Sequence, residues 1–229
     1  MQYMRQDTDI DVVSGVVVED PLASPAKGAG FSIQSVRLGG EVPIGLASLT
    51  NWAYFNGTVL ALGFHDSAHV KVEGSAVLVA PGVALAAHHV LEPHLRELER
   101  GNEAAMCYGI TPHGLQIWAV ITFQKVDNTD LAILGLRLQT AMPPENLFIH
   151  TSITTRTPKI GESLTIAGFR AAEAQFPIAQ GGEMVGDILV SKGIVAQVYP
   201  QRRDRAMLSW PVIEINSPAL GGMSGGPVY

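Results

Sequence analysis

The chain has 229 residues, of which 47% are hydrophobic and 16% charged, with 24 glycines, 14 prolines and a formal net charge of −6. That is enough for one large all-β unit or two small domains, and the Gly and Pro content fits many short strands and turns rather than a helix bundle or a disordered tail. The acidic balance argues against a nucleic-acid partner, since the one basic run, Arg202-Arg203-Asp204-Arg205, is short and interrupted by an acid.

In chain order, Met1 to Asp9 carry two acids and no apolar core, which is not a secretory signal, and no later run approaches the ~20 apolar residues of a membrane span. The expectation is a cytoplasmic protein with no membrane partner. Residues 1 to 45 show no sustained period: Val12-Val13 and Val16-Val17-Val18 are strand-sized, but prolines and glycines break the segment into an extension that packs on, or trails from, the main fold.

From Thr58 the texture changes. Thr58 to Phe64, Ala68 to Val72 and Ser75 to Ala80 are strand-length runs joined by Asp66-Ser67 and Glu73-Gly74, as in antiparallel sheets. A fourth run leads into Ala86-Ala87-His88-His89-Val90. His65 and His69 have the spacing of two metal ligands on a helix, but the stretch reads as strand and turn, so no metal or other cofactor is expected. Leu91 to Glu99 is a short amphipathic helix. Strands resume at Ala104 to Tyr108, where Cys107, the only cysteine, reads as a buried inert thiol and makes an intramolecular disulfide impossible. Leu115 to Phe123 follows, and then Lys125 to Asp130 opens into the apolar run Leu131 to Leu134. Asp130, directly before a buried strand, could cap a turn or orient a histidine.

Pro143-Pro144 marks a boundary between two halves. The second half repeats the texture with Ser163 to Phe169, Met184 to Val190, a hairpin at Ser191-Lys192-Gly193 into Ile194 to Val198, and Ala206 to Ile215. It ends on Gly221-Gly222-Met223-Ser224-Gly225-Gly226-Pro227. A serine flanked by glycines suits a hydroxyl held on a tight turn, with the backbone N–H groups of Gly222 and Ser224 turned toward an approaching carbonyl; it also suits a plain turn.

His88, Asp130 and Ser224 occur in that order, at intervals of 42 and 94 residues. The segments Ala86-Ala87-His88-His89-Val90, Asp130-Leu131-Ala132-Ile133-Leu134 and Gly222-Met223-Ser224-Gly225-Gly226-Pro227-Val228 resemble the three active-site signatures of the chymotrypsin-like (trypsin-like) serine peptidases. The resemblance spans about residues 58 to 229 and favours the bacterial, disulfide-free members, including those similar to the HtrA group. It implies an all-β fold of two antiparallel barrels: an N-terminal extension over 1–45, an N-terminal barrel over 46–143 carrying His88 and Asp130, and a C-terminal barrel over 144–229 carrying Ser224.

The resemblance further implies a serine endopeptidase acting on protein or peptide substrates through an acyl-enzyme. His88 would be the general base, Asp130 the residue that orients it in preference to Asp127, Ser224 the nucleophile, and Gly222 and Ser224 N–H the oxyanion hole. His89 would stand where disulfide-bonded relatives carry a cysteine. Met223 stands where zymogen-activated relatives carry an aspartate, so no N-terminal cleavage switch is expected. The sequence ends at Tyr229, before the final strands of the family pattern, which leads one to expect an incomplete second barrel, self-association or a partner segment completing it. The alternative is a catalytically inactive trypsin-like pseudoprotease used as a protein-binding module; a third reading is an unrelated β-rich structural protein.

Overall fold

The structure is a computed structural model that describes residues 12–18, 27–142, 150–170, 172–175, 180–205 and 208–229. The boundary expected at Pro143-Pro144 and the first nine residues lie outside the described residues.

Three strands precede the region of alternating runs: β1 (Val12–Val16), β2 (Gly30–Ser35) and β3 (Leu46–Ser48), followed by a 3-10 turn at Trp52–Phe55. Next come β4 (Val59–His65), β5 (His69–Ala80), β6 (Val83–Ala87), the helical turns α1 (His88–Leu91) and α2 (Leu95–Arg100), then β7 (Ala104–Thr111), β8 (Gly114–Lys125) and β9 (Leu131–Leu138). Pro93 sits at the start of a 3-10 segment that separates the two helical turns, so the helix expected over Leu91 to Glu99 is broken.

Strands β4 to β9 close into a six-stranded antiparallel barrel, in the order β4-β5-β6-β9-β8-β7 and back to β4. The period-2 pattern explains the closure, because each strand turns one set of alternate residues inward. Leu60, Leu62, Leu78, Ala84, Trp118 and Leu134 fill the interior together with Cys107. Burial pushes the Cys107 thiol well above its ordinary range, which leaves it protonated and inert.

The opposite face of the same strands carries a second core. Val59, Ala61, Met106, Tyr108 and Ile117 pack there against Val13, Val17, Phe31, Ile33 and Trp52, so the residues before the barrel share its hydrophobic core. Phe31 and Trp52 are each 1% exposed, and side chains this size contribute about 2–3 kcal/mol each on full burial. β2 is also held by a parallel pairing with β12 (Gly181–Gly186) from late in the chain.

The remaining strands are β10 (Ser163–Phe169), β11 (Ala172–Gln175), β13 (Ile188–Tyr199) and β14 (Val212–Ile215). β11 adds to the barrel by pairing with β5. β10, β13, β14 and β3 form a four-stranded sheet, and among the described residues it does not close into a second barrel. The hairpin expected at Ser191-Lys192-Gly193 is absent, because β13 runs straight through it. Ser191 is buried with its hydroxyl bonded to Ser217 Oγ and the Pro218 carbonyl, each at 2.5 Å, and Gly193 lets the Asn216–Ser217 backbone pass close by. Turn-type residues here serve packing. Of the strand expected over Ala206 to Ile215, residues 206 and 207 lie outside the described residues; β14 starts at Val212, after Pro211, which has no N–H to give a ladder.

Among the described residues no helix is long and apolar enough to cross a membrane.

Candidate active site

β6 ends at Ala87, whose extended backbone (φ −78°, ψ 131°) gives way to the helical turn of α1. Successive residues there rotate by about 100°, so the two histidines face different ways. His88 is buried at 8% exposure with Val90 and Leu91, whereas the His89 side chain is 56% exposed. The α1 turn can sit so close to β5 because residue 74 is glycine: a Cβ there would lie 2.5 Å from the Val90 side chain.

Asp130 closes the turn before β9. That turn is shaped by Asn128 at φ 57° and by the Thr129 hydroxyl, which donates to the Val126 carbonyl and accepts from Leu131 N–H. The β6–β9 pairing brings Leu131 opposite Ala87, so Asp130 meets the first turn of α1. His88 takes part only through its backbone, donating N–H to the Asp130 carbonyl (2.7 Å). The Asp130 carboxylate belongs to His89: Oδ1 accepts the His89 backbone N–H at 2.9 Å, and Oδ2 lies 2.5 Å from His89 Nδ1. A carboxylate at this site can only accept, so the proton sits on Nδ1, and in the neutral ring Nε2 carries the lone pair. Asp127 is exposed and bonds to neither histidine.

The Asp130 carboxylate thus meets His89, and not His88, the partner expected from the sequence. The reason is the helical turn that takes over from β6 after Ala87: successive residues rotate by about 100°, so His88 is buried on the side of Leu91 and His89 faces the Asp130 carboxylate.

Ser224 is exposed on a turn whose neighbours Gly222, Met223 and Pro227 are buried. Gly222 has φ 94° and Gly225 φ 88°, conformations that need glycine. A Cβ on Gly225 would lie 2.1 Å from the Ser75 carbonyl oxygen and 2.8 Å from the Ala87 nitrogen, so the serine turn presses directly on the residue that launches His88 and His89. Three elements thus bring Ser224, His89 and Asp130 into one neighbourhood, although Ser224 Oγ makes no hydrogen bond to either histidine. Among the described residues the N–H groups of Gly222 and Ser224 have no acceptor within the chain, which leaves both available to an external oxygen. Met223 is 4% exposed and packs with Leu46 and Leu189, with Leu38 and Val42 beside them.

The histidine pair considered for metal does not converge. His65 is buried against the Tyr108 hydroxyl, and burial pulls its pKa down to about 3, while His69 lies at the surface beside Asp66. Among the described residues no group of three or more His, Cys, Asp or Glu is arranged to hold a metal ion. Two residues at the site were not legible in the motifs: the contact of His89 with Asp130, which is set by the helical turn after β6, and Ser75, whose bonds to the serine turn appear only once β5 is seen beneath it.

A closed antiparallel barrel bearing an Asp–His pair beside an exposed serine on a glycine turn has the architecture of the chymotrypsin-type serine peptidases. Residues 74–229 match the trypsin-like peptidase domain, and the chain belongs to that family; with one cysteine it holds no internal disulfide. No curated protein matches the sequence. Among solved structures the chain is similar to Deg5 (15% identity, 76% of this chain and 74% of that one, TM-score 0.49). It is also similar to the active form of the Rv3671c protease from M. tuberculosis (15%, 77% and 66%, TM-score 0.49). A third is the MamO protease domain from Magnetospirillum magneticum (17%, 76% and 78%, TM-score 0.47).

Proposed function

We propose that the protein is a serine endopeptidase in which Ser224 is the nucleophile, His89 the general base and Asp130 the residue that orients it. The observation that carries this reading is the Asp130–His89 pair at 2.5 Å beside the exposed Ser224 turn. With Nδ1–H on the carboxylate, His89 Nε2 is the lone pair free to take the Ser224 proton as Oγ attacks a peptide carbonyl. The proton then passes to the leaving amine, and water repeats the sequence on the acyl-enzyme. Asp130 stays ionised throughout and stabilises the imidazolium. Gly222 and Ser224 N–H receive the oxyanion, the term worth most in such sites.

The missing Ser224–His89 hydrogen bond favours a second reading, a binding module that keeps the fold without the chemistry. Such bonds are often long before substrate binds and tighten in the substrate complex. A fluorophosphonate probe separates the two. The peptidase reading expects covalent labelling of Ser224, seen by mass spectrometry and lost in Ser224→Ala; an unlabelled, folded wild-type chain would overturn it in favour of the binding module.

A further inference from the structure

Ser75 lies on β5 directly beneath the serine turn and is fully buried, at 0% exposure. Its hydroxyl donates to the Gly222 carbonyl at 2.7 Å and accepts the Phe169 N–H of β10 at 2.8 Å. Its own backbone N–H donates to the Ser224 carbonyl at 2.7 Å. One residue of the barrel therefore holds the carbonyls on both sides of Met223 and ties them to the end of a strand from the other half of the chain.

A peptide plane turns as a unit, so a carbonyl cannot swing without carrying the next amide with it. Gly222 is the residue about which this turn can most easily flip, because it lacks a Cβ and already sits at φ 94°. The Gly222 carbonyl moves with the Met223 N–H and the Ser224 carbonyl with the Gly225 N–H, so the two bonds to Ser75 fix the peptide planes on either side of the Met223–Ser224 peptide, whose N–H is one of the two oxyanion donors. Loosening the Gly222 carbonyl would free the Met223–Ser224 peptide to turn its N–H away from the oxyanion site while leaving the Asp130–His89 pair untouched. The Met223 N–H bond to the Leu220 carbonyl (3.2 Å) acts in the same direction from the turn itself.

We propose that Ser75 is a positioning residue of the peptidase reaction, whose buried hydroxyl locks the Gly222 carbonyl and, with the Ser75 N–H on the Ser224 carbonyl, brackets the Met223–Ser224 peptide and so keeps the Ser224 N–H aimed at the developing oxyanion. The inference rests on the peptidase reading above. It assigns the reliability of the oxyanion site to a side chain that lies outside the serine, histidine and aspartate segments.

The test is the rate constant of fluorophosphonate labelling at Ser224 in the full chain, wild type against Ser75→Ala, as a function of pH. Losing one oxyanion donor outright costs about 10²–10³ in rate, so loosening it should cost about tenfold to a hundredfold. The expected result is a labelling rate lowered by that factor, with its pH midpoint unmoved because His89 is intact. A merely structural role would lower the labelled fraction but leave the rate constant of the folded molecules alone, and that outcome overturns the proposal. Should Ser75→Ala fail to fold, Ser75→Cys is measured in its place, since a thiol nearly matches the volume but is a weak donor. An unlabelled wild-type chain removes the peptidase reading and this proposal together, whereas a labelled wild type with an equally fast variant removes only the role of Ser75.

Discussion

The assignment of His89 rather than His88 gives the sharpest prediction. Both histidines belong to one helical turn, and replacing each by alanine removes a side chain of the same size, so the two variants differ chiefly in which contact is lost. His89→Ala deletes the ring 2.5 Å from Asp130 and with it the base paired to that carboxylate. In triads that act as a unit, loss of the base costs about 10⁶ in turnover, which at 1.36 kcal/mol per decade is about 8 kcal/mol of activation free energy. His88→Ala removes a ring that is 8% exposed and keeps the backbone N–H to Asp130. It should cost about 1–3 kcal/mol of stability through the cavity, and change the labelling rate of folded molecules less than tenfold. The assay is labelling of Ser224 by a fluorophosphonate, with the melting transition followed in parallel. In the same series Asp130→Asn should lower the rate by about four orders of magnitude through the wrong imidazole tautomer, while Asp127→Asn should change little. A silent His88→Ala beside an active His89→Ala would refute the reasoning and return the base to His88.

Two further outcomes follow from the packing. Folded His65 stays neutral down to about pH 3 while the unfolded chain protonates it at 6.5, so the unfolded state binds more protons within that window and stability falls as pH drops, by up to about 1.4 kcal/mol per pH unit. Denaturant titrations between pH 7 and 4 should show this slope reduced in His65→Gln, and an unchanged slope would mean His65 is not the group that titrates. Leu46→Ala removes a side chain 6% exposed that packs on Met223, and should cost about 2–4 kcal/mol and also slow Ser224 labelling, whereas Leu134→Ala in the barrel interior should cost similar stability without slowing it. Equal labelling rates in the two would show that the strands before the barrel do not support the serine turn.

The alternating runs from Thr58 to Leu138 are legible as a closed barrel because each strand must satisfy the same two-residue period, and six such runs with short turns have few other ways to bury their apolar faces. The second half is less legible because its polar residues are spent inside. Ser191 reads as a turn residue, yet Ser217 and Pro218 complete its hydrogen bonds and the strand continues through it. The residues before the barrel carry no sustained period, since their apolar side chains, Val13, Phe31 and Trp52 among them, are spread over short strands and a 3-10 turn that only long-range packing brings together.

The candidate site divides along the same line. The glycine turn around Ser224 and the acid before β9 are local features, written in consecutive residues. The histidine is not, because a His-His pair offers two residues of identical chemistry one step apart, and motif comparison has nothing local with which to choose. What separates them is the helical turn that takes over from β6 after Ala87, where successive residues rotate by about 100°, so that His88 is buried with Leu91 and His89 is left facing outward. Which of the two then meets the acid is fixed only when the β6–β9 pairing sets Leu131 opposite Ala87 and places the Asp130 carboxylate, 41 residues on from His89, beside that turn.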